Sequence, residues 1–379
     1  MPLHVETIKE TAVFEGLREA WTELLSESPC DRLFLTWEWL FTWWKHLADG
    51  RRLSILAVRS DRELVGVAPF ALAPAPITHL WSLPRLEFLG AGSVGSDYLD
   101  VIIRRGYETG VVAALAEHLA GRNLAIALTQ IDAKEGAAWR LGGELAQRGW
   151  SDSRTVTSVC PFIDLRGQSW SSYLESRGAS LRYNFRRRVR HLERTGICIE
   201  RAEADGQRQK SLELLVALHH MRWRERGGSD AFHRRALVAF HQEFSQHALE
   251  RGWLRLLTLG VGGEPAAGVY CFRYGGTFSF YQSGFDPGYA KQSVGLVTMG
   301  LAIKTAIEEG AEEFDLLHGD ESYKFHWACQ TRELGRLALY PAHKLGALCR
   351  RTAELDRAAR RAARRFLLRQ PVNDVTHAP

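Results

Sequence analysis

The chain has 379 residues, which is long enough for two or three domains. Of these residues 45% are apolar and 25% charged, a composition typical of globular proteins. It has no run of eighteen apolar residues and no secretory signal at its start, so we expect a cytoplasmic protein without a membrane span. The net charge of +5 is concentrated between Lys344 and Arg369, which leaves a nearly neutral body and argues against nucleic acid as a general partner.

Two segments near the start carry helical patterns. Residues 8–28 alternate apolar and charged positions as an amphipathic helix does. Residues 34–44 hold four tryptophans, and Thr36 can cap a helix that places Trp37, Leu40, Phe41 and Trp44 on one face. Aromatic residues at this spacing favour core packing over a ligand-stacking platform, so we predict a core helix.

A hairpin pattern occurs twice. Residues 53–72 predict two strands around a Ser-Asp-Arg turn, and residues 254–272 repeat the layout. The offset is constant at 201 residues, so that Leu56 matches Leu257. A strand, a helix and another strand follow each hairpin. The repetition predicts an α/β (α+β) protein of two similar halves, each a mixed, mostly antiparallel sheet flanked by helices.

The two halves differ in their chemistry. We place the boundaries so that the first half spans 1–165, the second 166–343, and a basic tail 344–379. The first half has no counterpart to the Gln-Ser-Val-Gly stretch at 292–295, nor to the polar motif that follows Asp315. We therefore expect it to supply packing, an interface or one wall of a cleft.

A basic helix is predicted early in the second half. Six arginines between residues 182 and 194 are interleaved with the apolar residues Leu181, Phe185, Val189 and Leu192. Such a face is usually solvated. Alternatively, one or two of these arginines, Arg186 among them, bind an anionic ligand, for which a planar guanidinium is well suited.

Histidines and cysteines do not form a recognisable metal site. Two predicted helices within 208–250, joined at Arg226–Asp230, carry His219 and His220, with His233 nearby, but no carboxylate or cysteine stands at ligand spacing and H-E-x-x-H is absent. The six cysteines are far apart without a C-x-x-C pair, as expected of free thiols in a reducing compartment. We therefore expect no metal.

Residues 277–327 predict a strand, loop, helix and strand. A β-rich pattern at 277–284 leads through a small, polar loop into an apolar helical run, and a second strand follows at 313–317. The loop could hold a phosphate, because the first turn of a helix has unpaired N–H groups and a partial positive charge. The alternative is an ordinary N-cap, with Ser293 closing the helix. The loop fits neither the P-loop nor the dinucleotide-binding pattern.

The combination of this loop with the motif that begins at Asp315 resembles the C-terminal half of CelD-like acyltransferases of the GNAT superfamily, which are related in build to the Fem aminoacyl transferases. The matching residues are Asp315, Gly319, Glu321, Tyr323, Lys324 and Trp327. The resemblance extends to the basic helix and, more faintly, to the tryptophan-rich segment. It implies two tandem GNAT-like halves.

The resemblance also implies an enzyme. Its reaction would move an acyl group from acetyl-CoA or another acyl-CoA, by direct attack, onto an amine of a small molecule, amino sugar or polysaccharide precursor. Two alternatives stay open. One is a Fem-like transferase that uses aminoacyl-tRNA and needs a basic cleft near Arg186–Arg194. The other is a non-enzymatic accessory protein of exopolysaccharide synthesis.

Site residues follow from the same resemblance. The expected donor-binding residues are Ser283, Gly284, Gln292, Ser293 and Gly295. A backbone N–H near Ser283 or Gly284 would stabilise the developing oxyanion. The catalytic candidates are Asp315 and Glu321 as bases, Tyr323 as acid and Lys324 as a holder of an acidic group, with His318 or His326 as substitute bases. The substrate-binding candidates are Arg186, Tyr281 and Trp327.

The tail predicts a basic amphipathic helix. Its apolar positions are Leu345, Leu348, Leu355, Ala359, Ala362 and Phe366. Alanine supplies little insertion energy at about 0.8 kcal/mol per buried methylene. We therefore expect this helix to dock on the body, with weak contact to an anionic membrane surface as the alternative, and residues past Gln370 to be disordered.

Overall fold

The computed structural model describes residues 2–74, 83–224 and 232–367. The elements of the first half are β1 (Leu3–Ile8), α1 (Thr11–Gly16), α2 (Arg18–Ser26), α3 (Trp37–Leu47), β2 (Arg52–Leu53), β3 (Ile55–Ser60), β4 (Glu63–Ala68), β5 (Phe70–Ala73), β6 (Arg85–Phe88), β7 (Ile102–Ile103), α4 (Glu108–Ala120), β8 (Ala125–Asp132), α5 (Ala137–Gln147) and β9 (Ser151–Asp164).

The elements of the second half are α6 (Trp170–Ser176), α7 (Ala179–Thr195), β10 (Ile197–Arg201), α8 (Asp205–Arg224), α9 (Arg235–Glu250), β11 (Leu254–Val261), β12 (Glu264–Tyr274), β13 (Thr277–Phe285), α10 (Val294–Glu308), β14 (Glu313–Asp315), α11 (Ser322–Trp327), β15 (Gln330–Tyr340) and α12 (Lys344–Leu367). The predicted connection at Arg226–Asp230 and the tail past Gln370 lie outside the described residues.

The two predicted hairpins are equivalent in register. Leu56 of β3 faces Ala68 of β4, and Leu257 of β11 faces Val269 of β12, which preserves the offset of 201 residues. A register shift also falls at the same relative place in both hairpins. The prediction of two similar α/β halves is therefore confirmed at the level of strand pairing.

The last strand of each half crosses into the other half. Strand β9 pairs with β14 and β15, while β15 pairs with β9 and β8. Among the described residues this exchange produces an eleven-stranded sheet in the order β10-β11-β12-β13-β14-β9-β15-β8-β6-β5-β2, beside a second sheet in the order β1-β3-β4-β7. The halves are thus joined by backbone hydrogen bonds as well as by side-chain packing.

The tryptophan-rich helix lies in the core, as predicted. Thr36 caps α3 by accepting a hydrogen bond from the Trp39 backbone N–H, and Trp39 and Trp43 are fully buried. The Trp39 ring packs edge-on against Phe240 and Phe244 of α9, with centroid distances of 4.9 and 4.6 Å. Helix α3 therefore packs the first half against the second.

Two helix predictions need correction. The segment predicted as one helix over 8–28 is helical but forms two helices, α1 and α2, divided at Leu17, and its first residue, Ile8, ends β1. In α12, Leu345 and Cys349 pack on the body, but Leu348 and Leu355 are exposed. The side of α12 that meets Ala338 and Tyr340 of β15 carries Leu345 and Cys349, and Leu348 and Leu355 are not part of that contact. None of the described helices is both long and apolar enough to cross a bilayer.

Candidate functional site

Strands β13 and β14 diverge and form a fork. They pair in parallel from Thr277 opposite Glu313 to Ser279 opposite Asp315, and the pairing then stops. Beyond this point the chain after β14 bonds to β9, with the Leu316 N–H donating to the Pro161 carbonyl at 2.9 Å. Strand β13 remains on β12, with a bulge at Tyr281. The divergence opens a gap between two strands of one sheet.

Two cavities meet at this fork. The fork cavity, of about 390 Å³, runs from Phe280 and Trp327 to the start of α10. The junction cavity, of about 270 Å³, lies between the halves and is lined by Ser93–Gly95 as well as by second-half residues. Phe280 and Tyr323 line both cavities. The expectation that the first half contributes one wall of a cleft agrees with this geometry.

The fork cavity ends at the first turn of α10. Ser293 has a left-handed backbone with φ of 58° and makes no side-chain cap bond, so it does not close the helix as an ordinary N-cap would. The first-turn amides of α10, which include that of Gly295, have no acceptor within the helix. The 3₁₀ turn Pro287–Gln292, which precedes α10, contacts Arg188, whose Nη1 donates to the Lys291 carbonyl at 2.7 Å. These features favour an anion at the helix start.

Gln292 belongs to the same turn. Its Oε1 atom is buried and has no hydrogen-bond partner among the described residues. Gln292 itself does not line the fork cavity, whereas Ser293 and Gly295 do. The role of Gln292 in donor binding stays a prediction. Its amide oxygen is free to accept a hydrogen bond from a bound ligand or from water.

Gly284 lies where β13 passes directly under α8. A Cβ atom built on Gly284 would stand 2.5 Å from the His219 backbone nitrogen, which is too close for any side chain. The adjacent Ser283 hydroxyl accepts a hydrogen bond from Arg222 Nη1 at 3.0 Å. Both Ser283 and Gly284 line the fork cavity, so their predicted donor-binding role fits their position.

Arg222 is a cavity residue that sequence reasoning missed. Its guanidinium lies over the rings of Phe285 and Tyr323, at 5.2 and 5.6 Å from their centroids. It follows His219 by one helical turn on α8, in a segment whose pattern indicated only a helix. No motif in the sequence marks this arginine, because its neighbours in the site come from β13 and α11.

Tyr323 stands between the two cavities. Burial is the main cause that raises the pKa of its hydroxyl to about 12, and the nearby Glu321 carboxylate adds to the effect. The hydroxyl is therefore protonated at neutral pH and suited to donate a proton. Trp327, the last residue of the motif, is fully buried and lines the fork cavity with its ring against Phe185.

Three predicted catalytic residues support the loop that follows β14. Asp315 is buried, lines neither cavity, and accepts a hydrogen bond from the Leu317 N–H at 2.8 Å. Burial is the largest cause that raises its pKa to about 6. The Lys324 Nζ atom donates to the Leu317 and His318 carbonyls at 3.3 and 2.7 Å and pairs with Glu321 at 3.0 Å. Lys324 is thus occupied within the protein.

The loop supported in this way presents His318 to the junction cavity. His318 Nδ1 lies 2.8 Å from Asp97 Oδ1, and its backbone N–H donates to Asp97 Oδ2 at 2.8 Å. Asp97 is fully buried and belongs to the first half. The hydrogen bond and charge of Asp97 raise the pKa of the His318 imidazole above its usual value.

Two predicted substrate-binding residues differ in their placement. Tyr281 lines the junction cavity, and its hydroxyl contacts the Val94 carbonyl and His241 Nε2. Arg186 is exposed on α7 and lines neither cavity, and it is Arg188, two residues later, that reaches the turn before α10. A helical period near 3.6 residues puts these two arginines on different faces.

Among the described residues, no group of three or more histidine, cysteine, aspartate or glutamate side chains is arranged so that it could hold a metal ion.

Comparisons with known proteins support the fold. A family model described as an acetyltransferase (GNAT) domain matches residues 179–325. No curated protein matches the chain. The solved structure of FemX is 13% identical with a TM-score of 0.60, covering 88% of this chain and 96% of that one. A conserved protein of unknown function from Bacteroides thetaiotaomicron is 12% identical with a TM-score of 0.57, covering 89% and 99% of the two chains.

A third similar structure is L-PGS from Bacillus licheniformis, which is 13% identical with a TM-score of 0.51 and covers 86% of this chain and 92% of that one. At such identities the likeness concerns the fold alone. The predicted GNAT-like α/β fold is confirmed by the family match together with the mixed, forked sheet.

Proposed function

We propose that this chain, whose residues 179–325 match a GNAT acetyltransferase domain, is an acyl-CoA-dependent N-acyltransferase. The observation that carries the proposal is the fork between β13 and β14, whose cavity of about 390 Å³ ends at the uncapped first turn of α10. Acetyl-CoA is the simplest donor. The acceptor is an amine of a small molecule, amino sugar or polysaccharide precursor, as in the CelD-like branch.

The donor would be held along the fork cavity. The α10 amides near Gly295 suit the pyrophosphate, and the apolar wall formed by Phe280, Met299 and Trp327 suits the uncharged arm that carries the thioester. The backbone near Ser283 would stabilise charge on the carbonyl oxygen. Arg222 supports this end of the cavity through its bond to Ser283 and adds positive charge.

Tyr323 is the proposed acid. Its protonated hydroxyl stands between the cavities, where it can protonate the departing thiolate as the acyl carbon is transferred from sulfur to nitrogen. Asp315 and Lys324 then act by supporting the loop between them, whereas Glu321, at the rim of the junction cavity, is the acidic group that a cationic acceptor would meet first.

The proposal is tested by calorimetry with acetyl-CoA and by thiol release with glucosamine, ethanolamine and lysine amide as acceptors. Tyr323→Phe should bind acetyl-CoA as the wild type does but release thiol roughly 100-fold more slowly. Tyr183→Phe, at an exposed tyrosine of α7, is the matched control and should retain full activity. A wild-type protein that does not bind acetyl-CoA would contradict the proposed function.

A Fem-like, aminoacyl-tRNA-dependent reaction is the second candidate. It is favoured by the exposed arginines of α7, which adjoin the turn before α10, and by the fold similarity to FemX. Such a protein would retain tRNA at moderate salt, with affinity falling steeply as salt rises. Arg186→Gln together with Arg190→Gln should then weaken RNA retention without changing acetyl-CoA binding. Retention that is equally weak in the wild type would reject this candidate.

A further inference from the structure

The polar loop after β14 and a buried carboxylate of the first half meet at one imidazole. We infer that His318 is the general base that deprotonates an ammonium acceptor in the junction cavity, and that Asp97 is the residue that positions it. This inference rests on the proposed function and identifies the acceptor class as a protonated primary amine. It also gives the first half a defined part in the chemistry.

Asp97 holds both the ring and the backbone of His318. Its two carboxylate oxygens accept from His318 Nδ1 and from the His318 N–H, each at 2.8 Å. The carboxylate is fully buried, and Gln130 Nε2 donates to it at 3.0 Å. Because Nδ1 is engaged, the ring presents Nε2 as the nitrogen available to a ligand. An imidazole oriented by a buried carboxylate is a general-base arrangement.

The remaining residues of the motif fix the loop in this position. Leu317 has a left-handed backbone with φ of 56°, and the Asp315 carboxylate caps its N–H. Lys324 Nζ holds the carbonyls on either side of the His318 N–H. Gly319 has φ of 128°, and a Cβ atom there would stand 2.3 Å from Glu321 Oε2. A residue surrounded by such supports is suited to proton transfer.

The charges around the junction cavity suit a cation. Asp97 and Glu321 face His318, Lys324 is occupied by two carbonyls and Glu321, and Asp315 lies beneath the loop. Of the other titratable groups lining the cavity, burial keeps Tyr281 neutral by raising its pKa, and it lowers the pKa of His241 to about 3. An ammonium group would therefore meet the Glu321 carboxylate on the cavity wall, and the Asp97 carboxylate paired with His318 adds negative charge behind that wall.

The proton balance is closed by two residues. The ammonium gives one proton to His318 Nε2, and its nitrogen forms a bond to the acyl carbon as the carbon–sulfur bond breaks. Tyr323 gives its proton to the thiolate. The nitrogen then loses a second proton, which returns Tyr323 to its protonated form. The products are an amide, a free thiol and a protonated His318, which releases its proton to solvent.

The sign of the pH dependence follows from Asp97. Its carboxylate raises the pKa of His318, with Glu321 acting in the same direction and Lys324 against it. A base acts in its deprotonated form, so kcat/KM rises as pH passes upward through the His318 pKa. Asp97→Asn removes the negative charge, lowers that pKa and moves the rising limb to lower pH.

The test compares three variants with acetyl-CoA as donor and glucosamine, ethanolamine and lysine amide as acceptors. His318→Asn preserves a side-chain N–H for Asp97 but removes Nε2, and it should lose at least 100-fold in kcat and the rising limb of the pH profile. Asp97→Asn should shift the rising limb, and the His318 ring titration followed by NMR should shift with it. His191→Asn, on the exposed face of α7, is the matched control and should behave as the wild type.

The outcomes separate the inference from the proposed function. Failure of the wild type to bind acetyl-CoA contradicts the proposed function regardless of His318. If the wild type binds acetyl-CoA and His318→Asn has an unchanged kcat, the role of His318 is contradicted and the proposed function is not. The same holds if Asp97→Asn lowers kcat/KM at every pH without shifting the rising limb of its pH profile. Donor binding without thiol release by any of the three amines rejects a primary amine as acceptor, and with it the base role.

Discussion

Replacement of Gly284 by alanine should disturb both stability and donor binding. The added Cβ would lie 2.5 Å from the His219 backbone nitrogen and 2.8 Å from the Leu218 carbonyl carbon, where ordinary contacts begin at 3.4 Å. Helix α8 must therefore retreat by nearly 1 Å, since these atoms are backbone and cannot rotate away. Overpacking of this kind costs about 1–3 kcal/mol.

The same retreat carries Arg222, one turn farther along α8, away from Ser283. The 3.0 Å bond between them would be lost, so acetyl-CoA should bind more weakly as well. Gly206→Ala is the control, because it lies in the same helix with nothing within 4 Å of its Cβ, and it should be neutral or stabilising by up to about 1 kcal/mol. Urea unfolding and calorimetry measure both effects. A Gly284→Ala protein with wild-type stability and donor affinity would contradict the close packing of β13 against α8 as a constraint on this position.

Two further predictions concern single side chains. Arg222→Lys preserves the positive charge but loses the planar stack on Tyr323, so acetyl-CoA affinity should fall roughly fivefold in calorimetry, and an unchanged affinity would exclude the stack as a contributor. Asp315 has a folded-state pKa raised to about 6, so its contribution to stability is lost as pH rises from about 4 to 6. The free energy of unfolding of Asp315→Asn, measured relative to the wild type by urea unfolding, should therefore be roughly 1–3 kcal/mol more favourable to the variant at pH 7 than at pH 4.5. A difference between the two proteins that does not change with pH would contradict the raised pKa.

The repeated half was predictable because its signal is local. A hairpin carries its register in its alternating residues and turn, so the match of Leu56 to Leu257 was visible from the sequence. The exchange of β9 and β15 between the halves could not be predicted, because the pairing of strands that are distant in sequence depends on the packing of the whole sheet and not on a local pattern. The same reason explains β1, whose short alternating run becomes a strand only through its pairing with β3.

The site residues also differ in how far they could be predicted from local sequence. The candidate residues of one continuous segment, from Ser283 to Trp327, could be predicted to lie near one another because the motif lies in a strand, loop, helix and strand that fold together, and all of them except Gln292 and Asp315 line one of the two cavities. Arg222 was missed, and so was the contact of Asp97 with His318, which joins residues 221 positions apart. Arg186 was preferred over Arg188 because a charge run in the sequence does not reveal which face of the helix meets the turn before α10.

Substitutions at Gly295 test whether the start of α10 binds the pyrophosphate of the donor. A Cβ there would make an ordinary 3.5 Å contact with Phe285, so Gly295→Ala should bind CoA nearly as the wild type does. Gly295→Asp places a carboxylate where it favours the helix by about 0.3–1 kcal/mol but repels an anionic ligand.

Calorimetry of the three proteins with CoA, and with pantetheine as a probe without the pyrophosphate, separates these effects. Gly295→Asp should lose CoA affinity at least tenfold while pantetheine binding and thermal stability are preserved. Equal CoA affinity in the alanine and aspartate variants would contradict binding of the pyrophosphate at the start of α10.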